Sequence, residues 1–179
     1  MTIARELNPL DAAVFESENY IYMMWRKYGE AERRYNELLR QSPDFYKAYS
    51  GMGRVLAAQG RYKESIEMLG KARALAGDAP SFLSALGQVH GMNGNRNVAR
   101  RMLDLLREIA RRRHVPATRF ALVHLGLGER GEALEWLERG CERHELPLTS
   151  MGVHPAYDDL RGEPRFKAIL EKMGLESIR

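Results

Sequence analysis

Apolar residues in this chain fall at helical spacing, and that spacing itself recurs. Val98, Met102, Leu103, Leu106 and Ile109 share one side of a helix whose other side is arginine-rich. Leu103 stands 34 residues after Leu69 and 34 before Leu137, with Tyr35 one period earlier. One helical turn before that column come Ala31, Ala99 and Ala133. The register holds through four blocks that begin at Ala12, Tyr46, Pro80 and His114. A fixed period of this length predicts helix pairs stacked in a row, each sharing its core with its neighbours.

The remaining columns follow the same phase. The second block carries Gly53, Leu56, Gly60, Tyr62, Ser65, Leu69 and Ala72; the third has Gly87, Gly94, Ala99, Leu103 and Leu106; the fourth has Ala121, Gly128, Ala133, Leu137 and Gly140. Small residues are required where two helices cross closely, and bulky neighbours fill the space around them. The first block is the most divergent, with Phe15, Tyr22, Tyr28, Ala31, Tyr35 and Pro43, and with Asn19 in the usually small eighth column. Over roughly residues 12 to 147 this pattern resembles the tetratricopeptide repeat. The resemblance implies an all-α, right-handed superhelical solenoid of antiparallel helix pairs, about four repeats plus a C-terminal capping helix.

The expected division is repeat 1 at 12–45, repeat 2 at 46–79, repeat 3 at 80–113 and repeat 4 at 114–147. Residues 1–11 place Ala4, Leu7, Asn8 and Pro9 where a preceding repeat would close, so they read as the end of a truncated repeat or as an N-terminal cap. A start in mid-helix suggests an arm cut from a longer protein. Residues 148–179 read as a loop followed by a helix from about Pro164 to Met173, because Pro147, Pro155 and Pro164 interrupt the helical pattern and Phe166, Ile169, Leu170 and Met173 restore it. The run from His154 to Arg161, with Glu163-Pro164-Arg165-Phe166 and the preceding Gly128 to Leu137, is similar to the C-termini of bacterial multidomain regulators. In those proteins such repeats follow a winged-helix, nucleotide-cyclase or Ser/Thr kinase domain. That similarity implies a sensory, regulatory or dimerisation arm as the alternative to a free-standing binding module.

Charge changes the picture at one place. The net charge is +4, but Arg96 to Arg113 alone carries seven arginines against Asp104 and Glu108. Such a helix invites nucleic-acid phosphates. However, Arg100 with Asp104 and Glu108 with Arg112 have the spacing of ion pairs on a solvated face, and no aromatic residues interleave to stack bases. The balance therefore lies against nucleic acid. His90 and His124 share a column of successive repeats, a spacing on the order of 10 Å that argues against a common metal ion. Cys141, His144 and His154 follow no zinc-site spacing. Glycine-rich phosphate loops, His-Glu-x-x-His and a serine-nucleophile turn are all missing, and Asp158-Asp159 reads as a turn or cap. The expectation is no enzymatic activity, no metal and no cofactor. A single cysteine forbids an intrachain disulfide, and no apolar run nears the about 18 residues of a membrane span. The cytoplasm is thus the default location.

The resemblance also implies a binding surface, since in this family the first helix of each repeat lines a concave groove. Its contact columns carry Glu16, Tyr20, Met23 and Met24, then Lys47, Ser50 and Arg54, then Ser84, Gln88 and Met92, and finally Thr118, Arg119 and Leu122. Tyr20 and the methionines suit an apolar segment, and Lys47, Arg54 and Arg119 suit acidic side chains. The partner implied is another protein or peptide, or another domain of the parent chain. The lysine and asparagine clamp that grips a terminal carboxylate is not expected, because its columns hold Glu16, Tyr20, Gly51, Ser81 and Ala85. Trp25 and Tyr28 leave a homo-oligomer open.

Overall fold

The computed structural model describes the backbone of residues 9–145 and 150–175, with side chains for Phe15 and from Glu18 onward within those ranges. The expected residues 1–8, the end at 176–179 and the Pro147 breaker lie outside the described residues. Among these residues there are helices and no strands. The α-helices are α1 (Pro9–Met24), α2 (Tyr28–Gln41), α3 (Tyr46–Ala58), α4 (Tyr62–Ala76), α5 (Pro80–Met92), α6 (Arg96–Ala110), α7 (Ala117–Gly126), α8 (Arg130–Glu142) and α9 (Pro164–Lys172). The chain is all-α and built of successive packed helix pairs, as a repeat of this period requires. None of the described helices is long and apolar enough to cross a membrane.

Turn chemistry explains why the pairs recur. Gly60, Gly94 and Gly128 close the first helix of their pairs at φ of 77°, 82° and 76°, the left-handed region in which a Cβ is penalised. In the first pair the same column is Arg26, held at φ 59°. A non-glycine side chain there stores strain, which gives a physical basis to the divergence of that block.

The chain divides into two compact units, Met1–Phe82 and Leu83–Arg179. The N-terminal unit is cored by Met23, Ala31, Tyr35, Leu38, Ala48, Met52, Val55 and Leu56. Its small columns act as crossing points. A Cβ on Gly53 would stand 2.6 Å from Leu69 Cγ, and the Ser65 hydroxyl donates to the Gly53 carbonyl at 2.6 Å, so a serine fills the alanine column without leaving its oxygen unpaired. A guanidinium ties the pairs together: Arg61 Nη1, in the turn before α4, reaches both Glu32 oxygens at 2.7 and 2.8 Å, and its Nη2 reaches Glu64 at 2.6 Å.

In the C-terminal unit, Phe166, Ile169 and Leu170 of α9 bury into Ala121, Leu122, Ala133, Leu134 and Leu137 of α7 and α8. The last helix therefore covers the apolar end of the α7/α8 pair. The segment before it is more ordered than a proline-broken loop. Residues Pro155–Leu160 form a 3-10 helix whose N-terminus is capped by the His154 ring, which accepts from the Ala156 N–H at 3.1 Å. Its Tyr157 and Leu160, with Met151, join the same core.

Candidate functional site

The N-terminal unit carries a groove of about 830 Å³. Tyr20, Met23 and Asn19 come from α1, Lys47, Ser50 and Arg54 from α3, and Ser81 and Phe82 from the start of α5. The helical spacing of 20 and 23, and of 47, 50 and 54, places each set on one face of its helix. Two aromatic contacts shape the walls. Tyr46 meets Phe82 edge to face at 6.0 Å between centroids, and Tyr35, held edge-on by Phe15 at 5.8 Å, sets its hydroxyl end against Gly51. A Cβ at Gly51 would stand 2.7 Å from Tyr35 Cε1, so glycine is what lets that ring form part of the wall.

Among the described residues of the groove, Lys47 and Arg54 bring positive charge and no carboxylate lines it. Asn19 adds an unusual group: the residue is wholly buried, its Nδ2 donates to the Phe15 carbonyl at 2.9 Å, and its Oδ1 has no hydrogen-bond partner. Ile21 of the lining and Trp25, one helical turn on, are exposed at 45% and 65%, and Lys27 Nζ sits 5.4 Å from the Trp25 ring centre.

Of the residues expected to bind a partner, the structure thus gathers Tyr20, Met23, Lys47, Ser50 and Arg54 into one concavity. Met24 is half-buried against the neighbouring core. Glu16 lies outside the residues whose side chains are described. The other six belong to the C-terminal unit. There Ser84, Gln88, Thr118 and Leu122 are buried, Met92 is exposed, and Arg119 is half-buried. Burial lowers the Arg119 pKa, against an opposing effect of Tyr157. Asn19, Tyr35, Tyr46 and Gly51 line the groove without having been expected there. The signal available in the sequence was Asn19, a polar residue in a column that otherwise holds glycine or alanine.

The arginine-rich helix, α6, is largely occupied with its own structure. Arg100 pairs with Glu129, ahead of α8, and not with Asp104 as spacing alone suggested; Asp104 instead takes Arg107 at 2.9 Å. The reason is a stronger local acceptor. Glu129 also receives Arg96 at 3.1 Å and the buried His124 Nδ1 at 2.8 Å, while Arg96 donates to the Leu127 carbonyl at 2.8 Å. The expected Glu108 to Arg112 pair is present at 3.6 Å. Four of the seven arginines are therefore paired, which removes much of the charge that phosphates would need. His90, in the same column as His124, is half-buried, and burial lowers its pKa.

Comparison with known families bears on the groove directly. Residues 26–89 match the tetratricopeptide repeat family. The match runs from the α1/α2 turn into α5, and so takes in α2, α3 and α4 and most of the groove's cationic and aromatic lining. Tetratricopeptide repeats generally mediate protein–protein interaction. No curated protein matches the chain significantly.

Proposed function

We propose that the protein is a non-enzymatic binding module whose N-terminal groove holds an acidic segment, anchored by apolar side chains, of another protein. The observation that carries this reading is the groove's composition: four aromatic rings, a methionine and two cationic side chains, with no carboxylate among its described lining residues. Aromatic walls supply rigid apolar area, and Lys47 and Arg54 select carboxylates by charge. The Asn19 Oδ1, buried and unbonded, accepts an N–H from the occupant. Tyr20, Met23, Lys47, Ser50 and Arg54 carry the recognition. The tetratricopeptide match over residues 26–89, and the exposed Ile21 of the lining with Trp25 one turn on, support the same reading.

Fluorescence anisotropy tests it with two labelled peptides of the same length. One alternates glutamate with leucine and phenylalanine, and the other replaces every glutamate by lysine. The acidic peptide binds, its affinity falls with added salt, and Lys47→Glu or Arg54→Glu each weakens it by about tenfold or more. Equal binding of the two peptides, or unchanged affinity in both variants, refutes the assignment.

A further inference from the structure

The C-terminal unit carries a separate cavity, of about 660 Å³, walled by residues of α8 and α9 and by His144, Glu145 and Met173, which follow them. At its edge Arg165 donates Nε to Glu138 Oε1 at 2.9 Å and Nη2 to Oε2 at 2.7 Å, so these two charges neutralise each other. Glu145 is different. Its side chain is only 5% exposed, its Oε2 accepts the Ala117 N–H at the start of α7 at 2.6 Å, and its Oε1 has no hydrogen-bond partner. His114 Nε2 stands 3.8 Å from Oε1, beyond hydrogen-bond reach. A carboxylate oxygen removed from water without a donor is costly, and this one belongs to a residue that lines the cavity. Glu142, the last residue of α8 and also in the lining, is exposed and supplies a second carboxylate. The rest of the surface is aliphatic at Ala168, Ile169 and Met173, with Lys172 and His144 at the rim.

We propose that this cavity binds an amine or guanidinium carried on an aliphatic stem, with the cation on Glu145 and Glu142 and the stem along Ile169 and Met173. Once Glu138 and Arg165 cancel, two carboxylates face one ammonium, so the lining favours a cation. A neutral ligand of the same shape leaves Glu145 Oε1 unbonded, and an anion is repelled by it. The site is independent of the N-terminal groove. A free diamine or guanidino compound and the side chain of a basic peptide share this chemistry.

Heteronuclear NMR titration of the full chain with agmatine, with a blocked Leu-Arg-Leu tripeptide and with pentanol tests the site. The expected result is saturable shifts of the amides at 138–145 and 165–173 for at least one cationic probe, and none for the alcohol. Tighter binding of the tripeptide assigns the site to a protein side chain, and tighter binding of agmatine to a free small cation. Glu145→Gln retains an oxygen for the Ala117 N–H, loses the charge, and weakens binding by about tenfold or more. Glu142→Gln, at an exposed position, weakens it in the same direction. Absence of saturable shifts with both cationic probes, or wild-type affinity in both variants, overturns the proposal.

Discussion

Replacing Gly126 by alanine is expected to destabilise this protein severely, whereas the same change at Gly70 stabilises it. Helices α5 and α7 meet backbone to backbone. A Cβ on Gly126 would lie 2.6 Å from Gln88 Cα and 2.7 Å from Gln88 C, and one on Gly91 would lie 2.6 Å from Gly126 O. Carbon atoms in contact rest about 3.5–4.0 Å apart, so the methyl is accommodated only if the helices separate by about 1 Å. Overpacking costs about 1–3 kcal/mol when side chains can yield. Here the obstacle is backbone, so the cost lies at the top of that range, about 3 kcal/mol. Gly126 is the last residue of α7, which leaves little helix propensity to gain. Gly70 sits inside α4 with nothing within 4 Å of its would-be Cβ, and alanine there gains about 0.5–1 kcal/mol. For a chain of this size each kcal/mol moves the melting temperature by about 2–4 °C. Gly126→Ala therefore melts about 6–12 °C lower, and Gly70→Ala about 2 °C higher. Calorimetry alongside far-ultraviolet circular dichroism is the suitable assay, since repeat arrays need not melt in one step. A Gly126→Ala protein as stable as wild type would show that the α5/α7 crossing is not the close contact described.

Three further changes probe other parts of the structure. Arg26→Gly relieves the left-handed turn residue that the other pairs fill with glycine, and raises stability by about 1 kcal/mol in chemical denaturation. Phe166→Ala opens the covered end of the α7/α8 pair and costs about 3–5 kcal/mol; a loss under about 1 kcal/mol would mean that α9 does not cap that core. Acidification acts in two windows. His90 has a pKa lowered by burial, so the unfolded chain binds more protons and stability declines as the pH falls through about 6.5. The Asp78 carboxylate, held low by its hydrogen bonds from Arg73, and Glu138, held low by Arg165, contribute stability above their ordinary values of 3.8 and 4.5 that is lost at still lower pH. His90→Phe removes the first decline and leaves the second in a pH series of melting curves.

How much of this was legible in the residues depends on the range of the contact. Helix existence, the small crossing positions such as Gly53 and Ala99, and the apolar stripe of α9 follow from periodicity, because they are set by neighbours within a turn or a pair. The Arg100 partner was not legible. Spacing within α6 offered Asp104, but the partner chosen, Glu129, is 29 residues away and is favoured because it also collects Arg96 and His124. The Gly91 and Gly126 contact was likewise hidden: both residues lie outside the recurring small columns, and only the crossing of two helices makes them necessary. Prolines marked the segment after α8 as interrupted, yet the His154 cap and buried Tyr157 and Leu160 make a 3-10 helix of it. At the groove, family columns located Tyr20, Lys47 and Arg54, whereas Tyr35 and Tyr46 reach it through a ring resting on Gly51 and an edge contact with Phe82.

Recognition through the N-terminal groove is tested by NMR titration of the isotope-labelled chain with the alternating glutamate, leucine and phenylalanine peptide. The expected shifts are concentrated at residues 19–23, 46–54 and 76–82 and disappear in Arg54→Glu. Shifts confined to other surfaces, or the same shifts in wild type and Arg54→Glu, would contradict recognition there.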